Sequence, residues 1–205
     1  MQLDRHQSDA VRIGDGPALI LAGPGSGKTT VITHRVLELI RVHGVPPPDI
    51  LVITFTRAAA DEMQARFRTI SGGVRRPVTF GTFHSVFFAI LRQTRNYDSN
   101  SIIRLPQKKT LLREALLRSG IESSGAEEYL TALADEISSV KGSGLALEGY
   151  HARNLSDEEF AAVYSLYGKM LHDSMLLDFD DMLIMTSDLL RTRPDVLERC
   201  RQQYR

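Results

Sequence analysis

The chain has 205 residues, 42% of them hydrophobic, and its 25 Lys and Arg balance 25 Asp and Glu. That length suits one α/β domain, alone or with a smaller insertion, and excludes a chain too short to bury a core. Zero net charge excludes a protein that coats nucleic acid by bulk electrostatics, no apolar run reaches the roughly 18 residues of a membrane span, and the single Cys200 excludes an internal disulfide or a cysteine-cluster metal site. Residues 1–15 alternate polar and apolar side chains without an apolar centre, so no signal peptide is expected and the protein reads as cytosolic.

Residues 18–22 (Ala-Leu-Ile-Leu-Ala), 50–54 (Ile-Leu-Val-Ile-Thr) and 77–80 (Pro-Val-Thr-Phe) are short apolar runs typical of strands. Each is followed by a stretch of helical period, over 28–42, 57–70 and 83–95. Near-continuous apolarity in the first two predicts strands buried on both faces, the condition of a parallel sheet covered by helices. Right-handed crossovers would then bring the C-terminal strand ends, where ligands bind, to one edge. After Asn96 the strand signals stop. Leu112, Ala115 and Leu116 share a helix face, as do Leu130, Leu133, Ile137 and Val140, and as do Phe160, Val163, Tyr164, Tyr167 and Leu171. The breakers "SGIESSG" and "KGSG" separate them, another helix is expected from about Asp178, and a last one after Pro194. The expected organisation is a core over 1–96, a helical subdomain over 97–177, and helices returning to the core over 178–205.

Charge is uneven along this plan. Residues 92–118 hold seven Lys or Arg against two acids, and 122–159 hold nine acids against Lys141 and Arg153. The first region could face phosphates and the second could not, although solvated helix faces produce the same runs.

Chemistry enters with Ala22-Gly23-Pro24-Gly25-Ser26-Gly27-Lys28-Thr29, which runs from a strand end through a glycine-rich loop into a helix. This is the Walker A order, with Ala22 at the position where a literal pattern has Gly. Glycines let backbone N–H groups turn inward around phosphate oxygens, the helix N-terminus adds partial positive charge, and Lys28 can reach the β- and γ-phosphates. Thr29 supplies a hydroxyl for Mg²⁺, and Thr30 continues the ATP-binding segment. On these residues alone a nucleotide or small-molecule kinase remains open.

Three further segments, with the loop, resemble the N-terminal part of the superfamily-one DNA helicases of the UvrD, Rep and PcrA type. In "LDRHQSDAV", Gln7 matches the family's adenine-reading glutamine, and a carboxamide does complement the N6 and N7 edge. Arg35 resembles the family arginine near the base. In "ITFTRAAADEM" the resemblance implies that Phe55 stacks on a base of single-stranded DNA while Thr56 and the adjacent helix N-terminus hold a phosphate. Arg57 and Ala58 stand where relatives commonly carry Asn-Lys. In "GTFHSVFFAILR" the resemblance places Thr82, Phe83, His84 and Ser85 on the DNA strand, Thr82 and Ser85 as phosphate donors. "EISSVKGSG" is similar to a segment of the family's helical insertion in which Lys141 and the following loop approach duplex DNA. "VYSLYGKMLHDSMLLDFDDML" looks like the return to the core.

The resemblance implies a RecA-like P-loop fold, ATP and Mg²⁺ as cofactors, and a single-stranded DNA and duplex junction as partner. It covers nearly all of this chain and about the first third of the family's usual length. Helicase and nuclease fusion enzymes of recombination share related loops, and a non-catalytic DNA-binding module is a further reading. No Asp-Glu motif for Mg²⁺ and water activation is evident. Asp178, Asp180 and Asp181 in "MLLDFDD" read as helix-start and surface carboxylates rather than metal ligands. In the resembling family the Asp-Glu strand follows a segment like "RCRQQYR", where this sequence ends, and a second RecA-like domain supplies arginines. The 205-residue chain is therefore expected to bind nucleotide weakly if at all, to turn over ATP poorly and not to unwind DNA. Steady-state ATP hydrolysis stimulated severalfold by single-stranded DNA and abolished by Lys28→Ala would contradict this.

Overall fold

The computed structural model describes residues 3–72, 77–122, 126–144, 147 and 149–204. The chain divides into two compact units, Met1–Val86 with Arg193–Arg205, and Phe87–Thr192. Part of "SGIESSG", at 123–125, and part of the loop after Lys141 fall outside the described residues. Among those described, no helix is long and apolar enough to cross a membrane.

The first unit opens with α1 (Arg5–Val11), started by a capping box. Gln7 N donates to Asp4 Oδ1 at 2.8 Å, and Asp4 N donates to Gln7 Oε1 at 3.1 Å. The glycine loop leads into α2 (Lys28–Arg41), then β1 (Leu51–Thr54), α3 (Arg57–Ser71), β2 (Thr79–Thr82) and α4 (Phe83–Arg95), whose first turn lies in this unit. Thr56 caps α3, its Oγ1 accepting from Ala59 N at 3.2 Å. β1 and β2 pair in parallel, with Leu51 opposite Thr79 and Thr54 opposite Thr82. Val36, Ile50, Val52, Phe67 and Val78 form the core of this unit, with Ile40, Met63 and Phe80 packed against it. The last helix, α9 (Pro194–Gln203), also belongs here and has Pro194 in its first turn.

The structure is a mixed α/β fold with a parallel sheet, as expected, but among the described residues the sheet has two strands. The expected strand over 18–22 does not pair, and Leu19 and Leu21 are 85% and 86% exposed. An apolar run signals that burial is favourable; it does not supply the neighbouring backbone that makes a strand. β1 is also not buried evenly on both faces. Its residues alternate between half-buried and buried, Val52 facing the core.

The second unit is helical among the described residues apart from one parallel bridge between Ile102 and Leu177. After the remainder of α4 come α5 (Leu105–Arg118), α6 (Glu127–Ser143), α7 (Asp157–Asp173) and α8 (Phe179–Thr192). α7 begins with a capping box between Ser156 and Glu159, with three acids in its first turn. The expected helix faces form the core: Leu112, Ala115, Leu116, Leu130, Leu133, Ile137, Val140, Phe160, Val163, Tyr167 and Leu171 are buried, and Tyr164 packs against them. Leu133 is fully buried, so Leu133→Ala should lower unfolding free energy by about 2–5 kcal/mol through lost transfer energy and a residual cavity. Urea denaturation of the two proteins measures it, and an unchanged midpoint would place Leu133 outside the core.

Candidate functional site

The glycine loop and α1 enclose a cavity of about 510 Å³ lined by Gln7, Ala10, Ala22, Gly23, Ser26 and Lys28 among others. That is the size of a small-molecule site. Gly27, the N-cap of α2, has φ of 80°, and a Cβ there would lie 2.8 Å from Gln7 Nε2. Glycine is therefore needed both for the turn and for the close approach of α1. Gln7 Nε2 donates to Ser26 O at 3.0 Å. Lys28 Nζ donates to Gly23 O at 2.7 Å and Ala22 O at 3.2 Å. Ser26 closes on the same Gly23 carbonyl through Oγ at 2.7 Å and N at 3.3 Å. Pro24 and Gly25 are exposed at the loop's crest, Thr29 is half-buried in the first turn of α2, and Thr30 is buried on its inner face.

Arg35, expected near a base, projects from α2 to the end of α1. Its guanidinium donates to Val11 O at 2.9 Å and to Gly14 O at 3.3 Å, tying down the end of α1 and the turn beyond it.

A second set of groups gathers where β1 and β2 end. Because Thr54 and Thr82 are paired, the residues that follow them, Phe55 and Phe83, leave the sheet together, with ring centroids 5.7 Å apart. Phe55 is 90% exposed, the largest apolar exposure at this edge. Thr56 and Arg57 start α3, Arg57 being exposed and 3.9 Å from Asp61. Ser85 Oγ accepts from Thr82 N at 2.8 Å, and Ser85 N donates to Thr82 Oγ1 at 3.2 Å, a reciprocal cap on α4. Gly81 makes room for it, since a Cβ there would stand 2.7 Å from Ser85 Oγ. His84 is half-buried in the same turn. Two helix N-termini and an aromatic pair thus share one sheet edge, an arrangement suited to phosphates and stacked bases.

Lys141 does not join them. Its side chain is 6% exposed, and Nζ lies 3.0 Å from Asp178 Oδ2 and 2.6 Å from Asp181 Oδ1. Lys108 reaches the same Asp178 oxygen at 3.2 Å, Asp180 at 3.4 Å and Ser138 Oγ at 2.8 Å, while the Tyr167 hydroxyl donates to Asp178 Oδ2 at 2.9 Å. The expectation that Lys141 touches DNA is corrected, because its ammonium is held inside the helical unit by two carboxylates. The reading of the three aspartates is corrected in part. Asp178 does cap α8, accepting from Asp181 N at 3.0 Å, but Asp178 is a buried ion-pair partner rather than a surface carboxylate.

Burial opposes charge on Lys141, and Asp178 and Asp181 outweigh it, so its pKa is raised. Burial likewise opposes charge on Asp178, but Lys141 and Lys108 hold that carboxyl below the usual range. Asp181 goes the other way, raised by burial and by the Asp178 charge. Glu136 is a second buried carboxylate, accepting from Tyr150 Oη at 3.1 Å, Arg153 N at 2.6 Å and Asn154 Nδ2 at 2.7 Å. Sequence reasoning missed both clusters, although Lys108, Glu136 and Lys141 sit in step with the apolar stripes of α5 and α6.

The chain matches the UvrD/REP helicase N-terminal domain over residues 3–205. It is 35% identical over 212 residues to the ATP-dependent DNA helicase PcrA of Leuconostoc citreum, an alignment covering 98% of this chain and 28% of that protein. Its identity to the proteins of the same description from Staphylococcus aureus and Staphylococcus epidermidis is 33% over 214 residues, with the same coverage. The chain thus spans about 28% of the length of these relatives.

The buried cluster makes Lys141 a stability residue. Lys141→Ala should destabilise the chain by about 3–5 kcal/mol, since it strands carboxylates in a poorly solvated place. An unchanged denaturation midpoint would contradict that. Because the Asp178 pKa is depressed, its stabilisation is full above the ordinary 3.8 and is lost as pH falls through the lower folded value. Asp181, raised, acts in the window above that one, its destabilisation being relieved as pH falls from its raised folded value to the ordinary 3.8. Asp178→Asn should therefore flatten the lower part of the acid limb of a stability-against-pH curve, while Asp181→Asn steepens the upper part.

Proposed function

Since the chain belongs to the UvrD/REP helicase N-terminal domain family, we propose that it is the ATP-binding and single-stranded-DNA-contacting part of an ATP-dependent DNA helicase that moves 3′ to 5′. In this reading 1–96 is a RecA-like P-loop core, 97–177 a helical insertion and 178–205 the return to the core; these bounds differ from the two compact units at α4 and α8, most of α4 and all of α8 lying in the second unit. A second RecA-like domain of the whole protein would close over the nucleotide.

The observation that carries the DNA half is the exposed Phe55 against Phe83 beside the N-termini of α3 and α4. A phosphotransferase that handles small molecules has no use for such an edge. Bases stack on the aromatic pair, and Thr56, Thr82 and Ser85 offer hydroxyls to phosphates, Ser85 and Thr82 by exchanging their mutual cap. Arg57 adds an exposed positive charge, and His84 borders the same turn.

The nucleotide half rests on the cavity beside Gln7 and Lys28. Its residues fit ATP, with an ammonium at the loop, the backbone N–H groups of 23 and 25–29 along the loop and the start of α2, and a carboxamide on the α1 side. Thr29 is the one residue we assign to Mg²⁺, which when bound would neutralise phosphate charge. Arg35 acts on the site by holding α1 in place.

Fluorescence anisotropy with a labelled single-stranded oligonucleotide tests the assignment. Phe55→Ala should weaken DNA binding about tenfold, the loss of one base stack. Lys28→Ala should abolish ATP binding and leave nucleotide-free DNA affinity within about twofold, as expected for a residue at the phosphates and away from the strand. DNA affinity indifferent to Phe55→Ala would overturn the edge.

A further inference from the structure

Three donors of the phosphate loop are bonded within the loop itself. Lys28 Nζ, Ser26 Oγ and Ser26 N all end on Gly23 O. To cradle a phosphate these groups must turn away from that carbonyl, and the peptide carrying Ser26 O must move with its neighbours. That peptide is held from outside, because Gln7 Nε2 donates to Ser26 O at 3.0 Å. The other end of the same carboxamide, Oε1, accepts from Asp4 N at 3.1 Å.

We infer that Gln7 is a latch on the phosphate loop as well as a reader of the base, and that adenine recognition releases the latch. The inference rests on the proposed ATP-binding reading. Pairing with adenine uses one acceptor and one donor of the carboxamide, Oε1 to the N6 amine and Nε2 to N7. Both atoms already hold backbone partners, and Nε2 is packed against Gly27 closely enough that a Cβ there would meet it at 2.8 Å. Each atom keeps a second hydrogen-bonding position, so a base competes with Asp4 N and Ser26 O for the orientation of the carboxamide rather than for the atoms themselves, and a turn toward the base gives up Ser26 O. The helix itself stays, since Arg35 anchors it through Val11 O and Gly14 O. A triphosphate without the right base leaves the latch closed and must open the loop against it. Discrimination then arises from the restraint on the loop in addition to contact with the base.

Titration calorimetry with ATP, GTP and inorganic tripolyphosphate, each with Mg²⁺, separates a latch from a reader alone. For Gln7→Ala we expect ATP affinity to fall about fivefold and tripolyphosphate affinity to rise about fivefold, the scale of one exposed hydrogen bond. A fall for ATP with tripolyphosphate unchanged would overturn the latch.

Amide hydrogen exchange of residues 23 and 25–28 gives a readout that needs no nucleotide. Exchange should accelerate in Gln7→Ala, and equally in Gln7→Glu, which keeps an acceptor for Asp4 N but no donor for Ser26 O. Unchanged exchange in both variants would overturn the latch. If the unaltered chain bound neither ATP nor tripolyphosphate, the nucleotide reading and the release step would fall together. The exchange data would still decide whether Gln7 restrains the loop.

Discussion

The parallel register of β1 and β2 is the constraint on which the DNA-facing half of this chain depends. With Thr54 opposite Thr82, the two strands end level, so the next residue of each, Phe55 and Phe83, emerges at the same height. A slip by one residue would send one ring to the other face of the sheet. The helices that follow, α3 and α4, begin within three residues of the strand ends, so their N-termini lie at the same edge of the sheet. Gly81 is part of the same requirement, because the reciprocal Thr82 and Ser85 cap brings a hydroxyl to within 2.7 Å of where its Cβ would be. Register, cap and glycine together make the edge a surface with both an aromatic floor and polar walls.

The helical unit was the more legible in sequence. Each expected apolar stripe is buried, because a 3.6-residue period in a helix states directly which side faces inward. The same period carried information that motif resemblance overrode. Lys141 is four residues beyond Ile137, and Lys108 four before Leu112, so both lysines lie on stripes whose other members are core. Taken on period alone, both would have been placed inside. Their partners were not legible, since Asp178 arrives 37 residues after Lys141, brought in by the bridge between Ile102 and Leu177 that sits one position before it.

In the first unit local signals were sound and non-local ones were not. Helices over 28–41, 57–71 and 83–95 lie where their periods and caps put them. The run over 18–22 has the composition of a buried strand, yet a strand is a relation between segments, and one segment's composition cannot name its neighbour. Arg35 shows the same limit at the scale of one side chain, since the two carbonyls its guanidinium meets, Val11 O and Gly14 O, lie 24 and 21 residues earlier in the chain and no local pattern names them.

Two lysines in motif-like surroundings have opposite fates, and the difference lies in what each would have to give up. Lys28 is exposed and held by neutral carbonyls of its own loop. Hydrogen bonds of that kind, in contact with water, exchange for a phosphate oxygen at little cost, and a phosphate carries full negative charge where a carbonyl carries a partial one. Lys141 is buried between two carboxylates and over the Tyr167 ring, 5.1 Å from its centroid. Leaving would hydrate the ammonium but would take the shared cation from between Asp178 and Asp181 in a poorly solvated place, with Lys108 the remaining ammonium at Asp178. A phosphate can outbid two carbonyls; it cannot outbid two carboxylates already in contact. The spacing of a lysine in a motif therefore indicates a phosphate ligand only when its resting partners are weaker than the phosphate would be.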